Sequence, residues 1–523
     1  MKKPSGIDER FEQIRPPVIK AEGVTESERY LAKLADKSFL NLWSYPSLFR
    51  DQKQATQGDG KELCDLLVVC GRHIIIFSEK TIKWPDGDLN TAWSRWFRKA
   101  VQDSAKQAKG AERWIVDFPH RIFLDRKCTV PFPIEFPKQK DRIIHRVVVA
   151  RGASQACKEH LDEGSGSLTI KPNIVGINHG SNKTSSVQSF AIGDIDPSGS
   201  FVHIFDDVAL DIVLSELDTV RDFTDYLEKR QSFIRSGQLA EAHGEENLLA
   251  FYAIRINDDG DHDFVSNDEK LPITIDRQRY QRFIEDPRYI AKKEADKISY
   301  FWDMLIKAFT DRMLDGTSIT LDDYKFDLKK NELGARYMAL QPRFIRRALG
   351  EAVKGALELG MEHDRYFRVM FGRAHSKENE TAFFIQTFKY LDWMENKGGY
   401  EQYRRKRTES SAVYAKGLLV RYPHLKRVVG ISREPPNQGR GISEDLIYAE
   451  QAEWTDEDRR GIIHDCKTYG VLQGELKERQ WHGEEFPEAV TVTFEQPNIQ
   501  VNTNGMNRNQ RRAMRAKMRK KKK

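Results

Sequence analysis

Two short apolar runs, Leu66 to Cys70 and Ile74 to Phe77, stand on either side of Gly71-Arg72-His73. Continuous apolar runs of strand length flanking a glycine turn predict a β-hairpin buried on both faces. Acids and a lysine appear only at its ends, with Glu62 and Asp65 entering the first strand and Glu79 and Lys80 leaving the second. Upstream, Thr25-Glu26-Ser27-Glu28 has the form of an N-cap with an acidic first turn, and Leu31, Leu34, Ala35, Ser38 and Leu42 follow at helical spacing. Glu28 lies on the edge of that stripe. Residues 43–59 carry turn chemistry without periodicity, which predicts a loop or a short irregular strand. Downstream, Trp93, Trp96, Phe97, Ala100, Val101, Ala108, Ala111 and Ile115 predict one long helix from about Thr91 to Val116, with Gln107 near the stripe edge. Strands are predicted at 121–124 and 142–150.

The later pattern is less regular. Residues 158–200 are rich in Gly, Ser and Asn, and the glycines around Gly176 to Ser186 do not match the spacing of a phosphate loop. A strand is predicted at 201–205, helical periodicity from about Val208 to Phe233, and a further strand at Phe251 to Ile256. From about Asp286 to Tyr414 the pattern is mainly helical. A mixed segment follows from Arg427 to Val471. The resulting division is an irregular N-terminus (1–20), an α/β domain with a mixed central sheet flanked by helices (21–155), an α+β region (156–285), a mainly helical region (286–425), a small α/β element (426–495) and a disordered basic tail (496–523).

Composition narrows the function classes. With 523 residues, 39% hydrophobic and 31% charged, the chain is long enough for about two to four domains with real cores. It has no run of apolar residues long enough to span a bilayer and no apolar segment at its N-terminus, so a cytoplasmic location is expected. Five scattered cysteines without a CxxC pair argue against a disulfide framework, and thirteen histidines without HxH or HxxxH spacing read as ordinary surface or core residues. The net charge is +6, but ten basic residues and no acid lie between Arg508 and Lys523, which leaves −4 for the rest. That tail, including Arg511, Arg512, Arg515, Lys517 and Arg519, is a basic arm able to neutralise phosphates.

One constellation carries chemistry. Phosphodiester hydrolysis with a hard divalent cation needs carboxylates to hold the ion and a cation to stabilise charge at phosphorus or orient the water. Asp65, Lys80 and Glu28 meet that need. In this the chain resembles the PD-(D/E)xK, or restriction-endonuclease-like, nuclease superfamily over residues 24–116, about a fifth of its length. The order is a helix with Glu28, an Asp65-led strand, a Lys80-ended strand and a following helix. It looks similar to nuclease domains of bacterial restriction and phage-defence proteins. The resemblance implies Asp65 as metal ligand, Lys80 as catalytic lysine, Glu28 as the helix acid, Gln107 as a supporting helix residue, and Mg2+ or Mn2+ as cofactor. DNA would be the partner, with other defence-system subunits or a second copy as further ones. Two residues before Lys80 stands Ser78 instead of an acid, so the second acid is expected from Glu28, Glu62 or Glu79. Strand alternation turns Glu79 to the other face unless a bulge intervenes. Ser78 equally permits an inactive nuclease-fold module that binds nucleic acid or acts as an adaptor. Truncation after Met506 is predicted to flatten the dependence of DNA affinity on salt, by up to about 0.9 in log–log slope for each phosphate that the arm neutralises; an unchanged slope in a filter-binding series would reduce the tail to a solubilising segment.

Overall fold

The first helix, α1 (Glu26–Phe39), starts where Thr25 Oγ1 accepts from the Glu28 backbone N–H and Glu28 reaches back to the Val24 N–H and Thr25 Oγ1. This reciprocal cap satisfies amide groups that the first turn would leave bare. The computed structural model describes residues 15–52, 59–161, 164–179, 188–257, 260–264, 272–319, 326–372, 377–436, 443–477 and 479–487. The basic tail, with Arg511, Arg512, Arg515, Lys517 and Arg519, lies outside the described residues.

The architecture is mixed α/β. Strands β1 (Ser44–Arg50), β2 (Lys61–Cys70) and β3 (His73–Thr81) form an antiparallel meander. β4 (Ile122–Phe123) flanks β1, and β5 (Ile143–Arg151) runs parallel to β3. The predicted hairpin is present, but its turn is tighter than expected, because Cys70 pairs with His73 and leaves only Gly71 and Arg72 outside the ladder. Gly71 has φ +61°, a conformation that glycine adopts without steric cost. Residues 44–50 form a full strand where a loop or short irregular strand was expected, because β2 offers them an edge to pair with. The predicted long helix runs as α2 (Leu89–Phe97), a π turn (Arg98–Gln102) and α3 (Asp103–Asp117), with Asp88 capping the Thr91 N–H. α2 and the π turn bury Trp93, Trp96, Phe97, Ala100 and Val101 against Val148 and Ala150 of β5.

After α4 (Ser154–His160), the chain enters β6 (Thr169–Val175), β7 (Ala191–Asp194) and β8 (Val202–Phe205). β8 joins the first sheet parallel to β5 and completes the order β4-β1-β2-β3-β5-β8. The helical stretch predicted from Val208 to Phe233 is two helices, α5 (Ala209–Glu216) and α6 (Val220–Arg235), separated where Thr219 caps the Asp222 N–H. β9 (Leu239–His243) and β10 (Ile273–Ile275) complete a second sheet, β10-β9-β6-β7. The strand predicted at Phe251 to Ile256 is absent; Phe251, Tyr252 and Ala253 end helix α7 (Glu245–Ala253). α7 is buried on nearly every side, so its apolar residues carry no helical stripe, and a short apolar run reads alike for a strand and a buried helix.

Helices α8 (Arg279–Glu285), α9 (Pro287–Ala295), α10 (Ser299–Leu314), α11 (Leu328–Asn331), α12 (Leu333–Ala339) and α13 (Arg343–Gly360) follow. Two strands then interrupt the helical region, β11 (Arg365–Phe371) and β12 (Thr381–Phe388). Helix α14 (Gly399–Arg421) carries the chain across to β13 (Arg427–Arg433), parallel to β12, and β14 (Glu444–Glu450) closes a third sheet before α15 (Asp456–Thr468). That sheet draws strands from both sides of residue 425. All five cysteines are free thiols, Cys128 alone being only half-buried. No helix among the described residues is long and apolar enough to cross a membrane.

Buried charges are paired where helices meet. Glu245 at the start of α7 accepts from Arg230 Nε and Nη2 at 2.7 and 2.8 Å and from the Tyr226 hydroxyl at 2.5 Å. Arg343 on α13 donates to Asp218 and Asp303, joining α13 to α10 and to the α5–α6 junction. Removing one member of such a pair strands the other charge without solvent. Glu245→Ala is therefore predicted to cost about 3–5 kcal/mol, read as a lowered urea midpoint, whereas a surface ion pair such as Lys307 with Asp311 should tolerate the same truncation within about 1 kcal/mol.

Candidate functional site

Asp65 sits in the middle of β2, one residue before its ladder with β3 begins, and is 8% exposed. The β2–β3 ladder ends at the Leu66–Phe77 pair, and beyond it the Glu79 N–H donates to Asp65 Oδ2 at 2.6 Å. The carboxylate thus takes a backbone donor that a continuing ladder would have used. By the same register Asp65 stands opposite Ser78, and Ser78 and Lys80 align with Val148 and Ala150 of β5, which face α2 and the π turn. Asp65, Ser78 and Lys80 therefore share one face of the sheet. α3 packs over β2, β3 and β5 and carries Gln107, half-buried. Lys80 is half-buried and makes no hydrogen bond or ion pair among the described residues. The Ser78 hydroxyl is fully buried without a hydrogen-bond partner among them.

Glu79 points the other way. Ser27 Oγ donates to its Oε2 and Thr81 Oγ1 to its Oε1, each at 2.8 Å, and Arg151 Nε lies 3.4 Å from Oε1. Arg151 in turn lies over the Tyr30 ring, whose hydroxyl donates to Asp211. Glu79 is thus already neutralised and hydrogen-bonded. Glu28 is half-buried and committed to the α1 cap. Glu62, half-buried at the start of β2, has its carboxyl raised by burial and by the charge of Glu28.

The electrostatics centre on Asp65. Burial pushes its carboxyl up to about 7, the Glu79 N–H opposes the shift, and the charges of Glu62, Glu28 and Glu79 reinforce it. An acid in that position lacks the arginine that neutralises Glu245 or Asp218, and it calls for a cation. The acids around it do not form a group of three whose oxygens lie within 4.8 Å of one another; among the described residues, that geometry belongs to His73, His145 and Glu228. Sequence spacing held no sign of the second cluster, because His73 and His145 become neighbours only through the parallel register of β3 and β5. No protein-family model and no curated protein matches the chain.

The raised Asp65 value carries a pH dependence. A carboxyl with a folded value near 7 and an unfolded value near 3.8 binds its proton more tightly when folded, so stability is lost as pH rises from about 4 to 7. Asp65→Asn is predicted to remove that slope and to raise stability at pH 8 by roughly 2–4 kcal/mol. Denaturation midpoints of the two proteins at pH 5 and pH 8 check this; equal differences at both pH values would contradict it.

Proposed function

We propose that residues 21–155 carry the site of a magnesium-dependent nuclease of the restriction-endonuclease type that hydrolyses phosphodiester bonds in DNA. The observation that carries this reading is the Asp65 carboxylate: buried, held by one backbone N–H, crowded by acids, and on the same sheet face as the amine-bearing Lys80. The element order supports it: a Glu-bearing helix, a three-strand meander with Asp65 and Lys80 just beyond the open end of the β2–β3 ladder, a helix, and a parallel strand.

The donor chemistry suits a hard cation, since the available groups are carboxylate oxygens. Asp65 and Glu62 would hold the ion, with Glu28 joining if it leaves its cap; Glu79 is occupied by Ser27, Thr81 and Arg151. Bound Mg2+ or Mn2+ would supply a Lewis acid for a phosphoryl oxygen and an acidified water. The part of this chain's own residues is then separable. Asp65 surrenders its proton to become a ligand, which its crowded surroundings resist until positive charge arrives. Lys80 places an ammonium where it can face a scissile phosphate and stabilise the charge that develops there. Gln107, on the helix over the same face, can orient a phosphate or water by its amide. Residues 156–495 would serve specificity or assembly, in a restriction or phage-defence setting.

Ser78 favours a second reading, a module that binds nucleic acid without cutting it, because it puts a hydroxyl where the pattern has an acid. Nicking of supercoiled plasmid with Mg2+ separates the two. Asp65→Ala and Lys80→Ala are each predicted to lower the rate at least about a hundredfold while DNA retention stays within a few-fold. Undiminished cleavage in both variants would overturn the site, and a wild-type protein that retains DNA without nicking it would establish the binding-only reading.

A further inference from the structure

A second cluster lies on the opposite face of the same sheet. His73 opens β3, and the parallel register sets His73 beside Ile143 and Ile75 beside His145, so both imidazoles leave the sheet on one side. Helix α6 crosses that side and brings Glu228 over the pair. His73 Nδ1 lies 3.3 Å from His145 Nε2 and 3.6 Å from Glu228 Oε1, and the three atoms are all within 4.8 Å of one another. Both histidines are 3% exposed. The Glu228 Oε1 atom is itself buried and receives no hydrogen bond among the described residues.

Hydrogen bonding leaves this trio underfilled. Arg72 Nε can only donate, and it lies 3.4 Å from His73 Nε2, which makes that nitrogen the acceptor and puts the single proton of a neutral ring on Nδ1. One Nδ1–H then faces two acceptors, His145 Nε2 and Glu228 Oε1, neither at the usual hydrogen-bond distance. A tetrahedral ion with bonds of about 2.0–2.1 Å separates its ligand atoms by about 3.3–3.4 Å, close to the 3.3 and 3.6 Å that separate His73 Nδ1 from the other two.

We infer that His73 Nδ1, His145 Nε2 and Glu228 Oε1 bind one zinc ion that clamps helix α6 to strands β3 and β5. Two imidazoles and one carboxylate make a borderline-soft donor set that suits zinc and is unsuited to magnesium or calcium, which prefer oxygen throughout. Both rings are buried, and each presents one ring nitrogen to the shared space. His203 stays outside the set: its ring is 6.3 Å from that of His145, and its Nδ1 faces Arg230. The rim offers a way in, since the Glu228 side chain is 37% exposed and Arg72 is exposed at the hairpin turn. On ion binding the His73 proton moves to Nε2 and the Arg72 guanidinium withdraws into solvent. Seven residues along β3 separate His73 from Lys80, roughly 23 Å on the opposite face, so this site is independent of the proposed nuclease centre.

The test uses metal-free full-length protein titrated with Co2+, whose visible absorption reports tetrahedral nitrogen and oxygen ligation, followed by displacement with Zn2+. One equivalent is expected. Glu228→Gln, at a half-exposed position that should leave folding intact by circular dichroism, and His73→Gln are each expected to weaken Co2+ binding at least about tenfold. Asp65→Asn should leave the spectrum unchanged, which separates this site from the acids of the nuclease proposal. Absence of a tetrahedral spectrum in the wild-type protein, or unchanged affinity in a folded Glu228→Gln, would overturn the inference.

Discussion

The rest of the structure depends on β3 being paired on both edges and covered on both faces. β2 runs against it on one side, β5 alongside on the other, and its residues from His73 to Glu79 are all buried. A strand so confined cannot slip by one residue without moving every side chain to the opposite face. Its alternation therefore acts as a switch. Ser78 and Lys80 go to the side covered by α2 and α3, while His73, Phe77 and Glu79 go to the side covered by α1, α5 and α6. Two separate polar sites arise from one strand because the alternation allows no mixing between them.

The electrostatic contrast within the molecule gives the Asp65 site its meaning. Where buried acids serve the fold, arginines meet them, as Arg230 meets Glu245, Arg343 meets Asp218 and Asp303, and Arg407 meets Asp445. Glu246 shares with Asp65 a carboxyl pushed to about 7, yet the side chains of Ser165 and Asn247 both donate to it. Asp65 has a single backbone donor and acidic neighbours. Keeping a charge so poorly compensated costs folding free energy, a cost typical of sites kept for binding or chemistry.

Local pattern made some of this legible. The Thr25 cap, the hairpin and the helix through Trp93 and Ile115 all rest on interactions between residues close in the chain, so their signals survive in a linear reading. The Phe251 to Ile256 strand failed for the complementary reason, since α7 is buried on nearly every side and displays no polar face to mark its period. β11 and β12 went unseen within a charged, helix-like stretch; they pair with each other, and the strand that holds β12 on its other side, β13, lies about forty residues further on, beyond α14.

The sequence by itself determined that Asp65 and Lys80 lie at one end of a buried hairpin, and strand alternation alone set Glu79 on the other face from Ser78. Tertiary structure decided what occupies each acid. Ser27, Thr81 and Arg151 reach Glu79 only once α1 and β5 have packed on β3, so its availability could not be read from spacing. The same packing brought together His73, His145 and Glu228, seventy-two and eighty-three positions apart from each other in turn, through a parallel register and a helix crossing. Parallel pairing needs a long crossover, so residues that meet across it are necessarily remote in sequence.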